Sequence, residues 1–288
     1  MNEIIIGDCR KTMPVLIKQG ISVQTCITSP PYFGQRSYLP EKHPLKSKEI
    51  GQESTPELYV KSLVKAFRLV WDLLADDGTL WLNLGDTYWG SWGSYGSRPE
   101  IDGKTINQRK KSAAYLPRGG WDSNNRQRPP QSRSHPFLKP KDLIGLPWML
   151  AFALRADGWY LRQDLIWNKT TVLPEASKDR CTKAHEYIFL LSKSRTYYFN
   201  AAAIRDKTRN KRSVWTAENT NRNLGKHFST FPPKLIEPCI LAGSKPKDIV
   251  FDPFSGSGTV PQVAESLGRQ WIGCEINESF LESKPKKL

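Results

Sequence analysis

Two short clusters in this chain carry side chains suited to holding a small organic ligand. The first is Asp252-Pro253-Phe254-Ser255-Gly256-Ser257-Gly258-Thr259, set between an apolar run and a helical pattern. Glycines at such a turn let the backbone approach a ligand closely at the carboxyl end of a strand. No Gly-Lys-Ser/Thr follows, so the turn is not a phosphate-cradling loop, and Val260-Pro261 follow where the dinucleotide fingerprint needs its third glycine. Glu275 stands 17 positions after Gly258, at the end of the next apolar run. A carboxylate there is an acceptor suited to ribose hydroxyls. The second cluster is Thr28-Ser29-Pro30-Pro31-Tyr32. Its prolines fix φ and lack an N–H, so the carbonyls point in set directions. Ser29 and the Ser29 and Pro30 carbonyls could accept from an amino group on an aromatic heterocycle, and Tyr32 offers a ring face. A plain strand-to-helix turn and a proline stop with a surface tyrosine would also account for each cluster taken singly.

The elements that must position these clusters read as alternating strands and helices. Glu3 to Gly7, with Ile4-Ile5-Ile6, is a short buried strand, and Thr12 to Gln19 a short helix. Gln24 to Ser29 is a second strand, stopped by the prolines. Thr55-Pro56-Glu57 opens a helix with an N-cap, a proline and an acid in its first turn, and Asp77-Gly78 ends it before a third strand over Thr79 to Leu84. A further helix is expected from Leu146 to about Ala156, with strands at Tyr160–Trp167 and Glu186–Leu191. Pro232 or Pro233 starts another helix that ends near Gly243. A strand over Asp248–Phe254, a helix to Leu267 and a strand over Gln270–Ile276 then surround the glycine turn. Strand, helix, strand at these lengths predicts an α/β fold with a parallel sheet. Two stretches break the pattern, 88–135 and about 200–226, both rich in Lys and Arg.

The chain has 288 residues, with 43 Lys+Arg against 28 Asp+Glu, a formal charge of +15. That balance suits a polyanionic partner such as nucleic acid, although a basic enzyme surface would give it too. No apolar run approaches the roughly 18 residues of a membrane span. Met1 to Asp8 has no basic stretch leading into an apolar one, so no secretory signal is expected. The five cysteines are scattered without a CxxC pair, against a disulfide framework or a zinc site and in favour of a reducing compartment. His43, His135, His185 and His227 lack ligand spacing, so no metal is expected.

Together the two clusters resemble the catalytic and cofactor motifs of the amino-methylating DNA methyltransferases that use S-adenosylmethionine. Thr28 to Tyr32 stands as the (D/N/S)-PP-(Y/F) motif and Asp252 to Gly258 as D-P-F-x-G-x-G. The order, catalytic motif first and cofactor motif last, is similar to the β group. Ile6-Gly7-Asp8-Cys9, Asp157-Gly158-Trp159, Ile166 to Lys169, Arg180, His185-Glu186-Tyr187 and His227 to Pro232 resemble further motifs of that family.

The resemblance implies a Rossmann-like fold, a mostly parallel twisted sheet with helices on both faces, plus irregular basic recognition segments. It implies a catalytic half over 1–87, a DNA-contacting loop over 88–135, continuation over 136–199, a target-recognition segment over 200–226 and a cofactor half over 227–288. Ser29, Pro30, Pro31 and Tyr32 would be catalytic. Asp8, Cys9, Thr28, Phe228, Ser229, Asp252, Phe254, Ser255, Gly256, Ser257, Gly258, Thr259 and Glu275 would bind S-adenosylmethionine. Arg109, Lys110, Lys111, Arg126, Arg128, Lys169, Arg180, Arg209, Lys211 and Arg212 would contact double-stranded DNA.

In this family Ser-Pro-Pro-Tyr usually accompanies transfer to the N4 of cytosine in a flipped-out base. Transfer to adenine N6 is the alternative, and an inactive DNA-binding relative a third reading. A Cys after the proline motif, needed for C5-cytosine chemistry, is replaced by Tyr32. The implied setting is a bacterial or phage-infected cytoplasm, with a cognate restriction endonuclease as a partner, and the chain acting as monomer or homodimer.

Overall fold

The structure is a computed structural model that describes residues 1–35, 37–90, 135–172, 175, 177–218 and 231–280. Eight strands form one sheet: β1 (Asn2–Ile6), β2 (Val23–Thr28), β3 (Leu74–Leu84), β4 (Tyr160–Lys169), β5 (His185–Ser192), β6 (Val214–Ala217), β7 (Ile249–Asp252) and β8 (Gln270–Glu275). Their order across the sheet is β1-β8-β7-β2-β3-β5-β4-β6. Every neighbouring pair is parallel except the two that involve β5, which runs antiparallel to both β3 and β4.

Among the described residues, five α-helices cover the two faces: α1 (Cys9–Lys18), α2 (Pro56–Leu73), α3 (Leu146–Ala156), α4 (Pro233–Gly243) and α5 (Thr259–Ser266). Strand alternation assigns the faces. Leu80, Leu82 and Leu84 of β3, with Phe189 and Leu191 of β5, pack with α1, α2 and α3. Trp81 between those leucines, and Ile188 and Leu190 on β5, pack with α4 and α5. Adjacent residues on a strand point to opposite faces, so a run apolar on both parities must be covered on both sides. That is the α/β architecture expected, with helices on both faces.

Several boundaries differ from the expectation. α1 starts at Cys9 rather than Thr12, because the Asp8 side chain caps it by accepting from the Arg10 amide. α2 has the expected start, with Thr55 as N-cap and Pro56 in the first turn, but it stops at Leu73. β3 begins at once with Leu74, paired with Val23, so Asp77-Gly78 lies within the strand rather than ending the helix. β6 was not expected: in its described part, the basic segment over 200–226 supplies the edge strand of the sheet beside β4. The expected DNA-contacting residues Arg109, Lys110, Lys111, Arg126 and Arg128, and the cofactor residues Phe228 and Ser229, lie outside the described residues.

Candidate active site

Because β1, β8, β7 and β2 are adjacent and parallel, their carboxyl ends open on one edge of the sheet. Gly7-Asp8 follows β1, Ile276 follows Glu275 at the end of β8, Pro253-Phe254 follows β7, and Ser29 follows β2. Ligands of open α/β sheets sit at this edge. Here the loops border a cleft of about 980 Å³ counted out to its open mouth, lined from both motifs. Asp8, Cys9, Asp252, Phe254, Ser255, Gly256, Thr259 and Glu275 line it, together with Ser29 and Pro31. Thr28, Pro30, Tyr32, Ser257 and Gly258 are chain neighbours of these lining residues.

One hydrogen bond joins the two motifs across 224 residues of sequence: Thr28 Oγ1 donates to Asp252 Oδ1 at 2.6 Å, with both residues buried. The same carboxylate oxygen accepts from the Phe254 amide at 3.0 Å. Burial pushes the Asp252 carboxyl up to about 7, against these two donors and helped by the Glu275 charge. Glu275 is raised by burial as well. Its Oε2 accepts from the Gly256 amide at 2.7 Å and its Oε1 from the Asn277 amide at 2.8 Å. The carboxylate therefore ties the glycine turn to the end of β8. Gly256 and Gly258 have φ of +53° and +84°, left-handed conformations that side-chain-bearing residues disfavour, so the turn requires glycine there.

Asp8 lines the cleft beyond the end of β1. Arg10 grips it in bidentate fashion, Nε to Oδ1 at 2.9 Å and Nη2 to Oδ2 at 2.7 Å, and also donates to the Lys48 carbonyl. Burial pushes the Asp8 carboxyl up, but the Arg10 guanidinium and amide outweigh it and hold it below the usual range. Burial raises the Cys9 thiol far above its ordinary value, so it stays protonated. Ser255 lines the cleft, and its hydroxyl, packed beside Gly273, is buried without a hydrogen-bond partner among the described residues.

The proline corner is anchored from behind. Tyr59 on α2 donates to the Pro31 carbonyl at 2.8 Å. Tyr32 donates its hydroxyl to Glu186 Oε2 at 2.8 Å, and burial with the Glu186 charge raises its phenol well above the ordinary value. Gly85, just after β3, makes room for this ring: a Cβ there would fall 2.7 Å from Tyr32 Cε2.

Sequence reasoning missed Arg10, Tyr38, Lys48, Ile50 and Phe280, which also border the cleft, and Asn83, which accepts from Tyr32. Phe231 borders the cleft and Glu186 accepts from Tyr32; both stand in segments that the resemblance singled out. Of the expected DNA contacts, Lys169 pairs with Glu186, and Arg180 pairs with Glu175 and lies 3.9 Å above the Tyr88 ring. Lys211 pairs with Asp206 at 3.6 Å, while Arg209 and Arg212 are exposed. Only the Arg10 partnership carried a local signal, an Asp-x-Arg spacing at a helix start; the others come from elements remote in sequence.

Known proteins resemble this chain in sequence and in fold. A family model described as DNA methylase matches residues 23–285. The type II methyltransferase M.SmaI of Serratia marcescens is 42% identical over 294 residues, covering 99% of this chain and 90% of that protein. M.Cfr9I of Citrobacter freundii is 42% identical over 272 residues, covering 93% and 81%. Among solved structures, the PvuII DNA methyltransferase, described as cytosine-N4-specific, aligns with a TM-score of 0.66 at 18% identity over 98% of this chain and 85% of that one. The M1.HpyAVI–SAM complex aligns at 0.60 and 15% identity, over 98% and 97%. At such identities the structural likeness speaks for the fold, while the family match and the curated relatives extend over nearly the whole sequence. With the serine–proline corner and the glycine turn meeting in one cleft, the chain belongs to the DNA methylase family of N6/N4 amino-methyltransferases.

Proposed function

We propose that this chain transfers the methyl group of S-adenosylmethionine to the exocyclic N4 of cytosine in double-stranded DNA, with the target base flipped out of the helix. The observation that carries the reading is the shared cleft: Ser29 and Pro31 on one side, Gly256 and Glu275 on the other, held together by the Thr28–Asp252 bond. The donor set fits the cofactor. Glu275 is a carboxylate at a strand end suited to ribose hydroxyls, and Ser255 offers a buried hydroxyl still lacking a partner among the described residues. When bound, S-adenosylmethionine supplies a methyl on a sulfonium, which leaves as a neutral thioether and needs no acid.

The chain's residues act on the amine. Its lone pair is delocalised into the base, so it is a weak nucleophile. Ser29 Oγ and the Pro30 carbonyl accept its two N–H bonds, which favours a pyramidal nitrogen with a localised lone pair, most strongly in the transition state. Tyr59 already occupies the Pro31 carbonyl and so stiffens the corner. The remaining catalysis is positioning of two reactants in line: the nitrogen lone pair forms the N–CH3 bond as the S–CH3 bond breaks with its electrons to sulfur, and the methylated amine then sheds one of its two protons to solvent. Flipping the base costs a few kcal/mol of unstacking, offset by contacts to the extruded ring and by basic residues on the phosphates.

Ser29 in the first position of the motif, and the fold shared with an enzyme described as cytosine-N4-specific, favour cytosine. Adenine N6 presents the same N–C–N edge and is the second reading. The setting that follows is restriction–modification in the cytoplasm, with a cognate endonuclease as partner. Incubation with labelled cofactor and duplex DNA, followed by digestion to nucleosides, tests this. N4-methylcytosine is the expected product; N6-methyladenine overturns the choice of base, and unlabelled DNA overturns the activity.

A further inference from the structure

We infer that Glu186, through Tyr32, sets the hydrogen-bond polarity of Ser29, making its hydroxyl an acceptor toward the target amine. The inference rests on the proposed reaction and deepens it. A serine hydroxyl carries one proton and can donate or accept; a nucleobase amine offers only protons to the corner that grips it. If the Ser29 proton pointed into the cleft, it would meet the amine donor to donor. Something must take that proton.

The network behind the corner does so. Ser29 Oγ lies 3.4 Å from Tyr32 Oη, placed to donate to it. Tyr32 Oη in turn faces two acceptors, Glu186 Oε2 at 2.8 Å and Asn83 Oδ1 at 3.3 Å. The orientation of the Asn83 amide is set by its nitrogen, which donates to Glu186 Oε2 at 3.2 Å and to the Tyr187 carbonyl at 3.0 Å. Reversed, it would set its oxygen against a carboxylate and a carbonyl. The other Glu186 oxygen pairs with the Lys169 ammonium, whose nitrogen lies 4.5 Å from the centre of the Trp167 ring. Both members of that pair are largely buried, at 13% and 19% side-chain exposure.

Counting donors then leaves one arrangement. Tyr32 has a single proton, and its two acceptor neighbours claim it. Its oxygen is thereby left to accept, and Ser29 supplies the proton. The Ser29 lone pairs remain for the cleft, which Ser29 lines. Glu186 touches neither reactant and is a positioning residue acting through Tyr32 and Ser29.

Glu186→Gln tests this. The Lys169 ammonium selects the amide oxygen, so the amide nitrogen faces Tyr32 as a donor. Asn83, whose nitrogen no longer meets a carboxylate, reverses so that its oxygen accepts from the new amide and its nitrogen faces Tyr32; with both former acceptors now donors, the Tyr32 proton is released toward Ser29 and the Ser29 proton turns into the cleft. Single-turnover methyl transfer and calorimetric S-adenosylmethionine binding are measured for wild type, E186Q, S29D and S29D/E186Q. The expected result is a fall in rate of about 10- to 100-fold for E186Q, with cofactor affinity within about twofold. In the S29D background, where a carboxylate accepts without help, E186Q should cost less than about threefold.

A full rate in E186Q overturns the inference, as does an equal loss in both backgrounds, which would mark a general structural effect. Should E186Q fail to fold, Tyr32→Phe takes its place. It frees the Ser29 proton, and S29D/Y32F should recover the lost rate; no recovery overturns the inference. A wild-type protein that methylates no nucleobase amine overturns the functional reading and this inference with it, whereas an active wild type with an indifferent E186Q overturns this inference alone.

Discussion

Asp252 ties the fold to the cleft, and replacing it with asparagine isolates what its burial costs. The carboxyl is pushed from an ordinary 3.8 up to about 7 by burial. Near pH 3 both folded and unfolded chains hold its proton. As pH rises past 4 the unfolded chain releases that proton while the folded chain keeps it, so unfolding becomes easier and stability is lost until pH reaches about 7. The interval from 3.8 to about 7, at about 1.4 kcal/mol per pH unit, corresponds to about 4 kcal/mol at most.

Asparagine removes the charge but can keep both hydrogen bonds, because Thr28 and the Phe254 amide donate to the same oxygen. Urea denaturation of ligand-free wild type and Asp252→Asn at pH 5 and pH 8 reads the difference. Other titrating groups cancel between the two proteins where they do not contact the site. The variant is expected to gain about 2–3 kcal/mol relative to wild type between those two pH values. A difference that stays constant to within about 0.5 kcal/mol would refute the claim that this carboxyl is buried at a cost and opposed mainly by Thr28 and Phe254.

Ser29→Ala should lower the rate of methyl transfer about 100-fold while leaving cofactor affinity within about twofold, read by single turnover and calorimetry; a matching loss of both would place Ser29 in the wrong role. Glu275→Gln leaves one oxygen to serve the Gly256 and Asn277 amides, so S-adenosylmethionine should bind about tenfold or more weakly; unchanged binding would remove Glu275 from the cofactor site. Gly258→Ala places a side chain at φ +84° and should cost about 1–2 kcal/mol in urea melts, with no such cost if the turn relaxes freely. DNA affinity should fall at least about tenfold between 50 and 200 mM salt if several Lys and Arg side chains neutralise phosphates. A flat salt response would point the positive charge elsewhere.

Local residue types were enough to read both motifs, the alternation of strands and helices, and the parallel majority of the sheet. The reason is that these features are encoded over a few residues. Ile4-Ile5-Ile6 is apolar on both strand parities and forms a strand, though at the edge of the sheet it is only partly buried rather than buried as expected; Thr55-Pro56 caps a helix, and Gly256 and Gly258 permit a turn that others resist. Where a local rule failed, a pairing partner had overridden it. Leu74 opened the strand early because it pairs with Val23 of β2, with 75–78 inside a register shift, and Val214–Ala217 found an edge beside β4.

Tertiary structure alone decided the neighbours. Periodicity tells a strand which face to bury but not which strand to lie beside. Only the order β1-β8-β7-β2 brings Thr28 to Asp252 and sets the proline corner against the glycine turn. The insertion of antiparallel β5 beside β3 delivers Glu186 to Tyr32 across 154 residues of sequence. A donor and an acceptor that far apart leave no mark in local composition, because their energy is realised only after the chain has closed the loop between them.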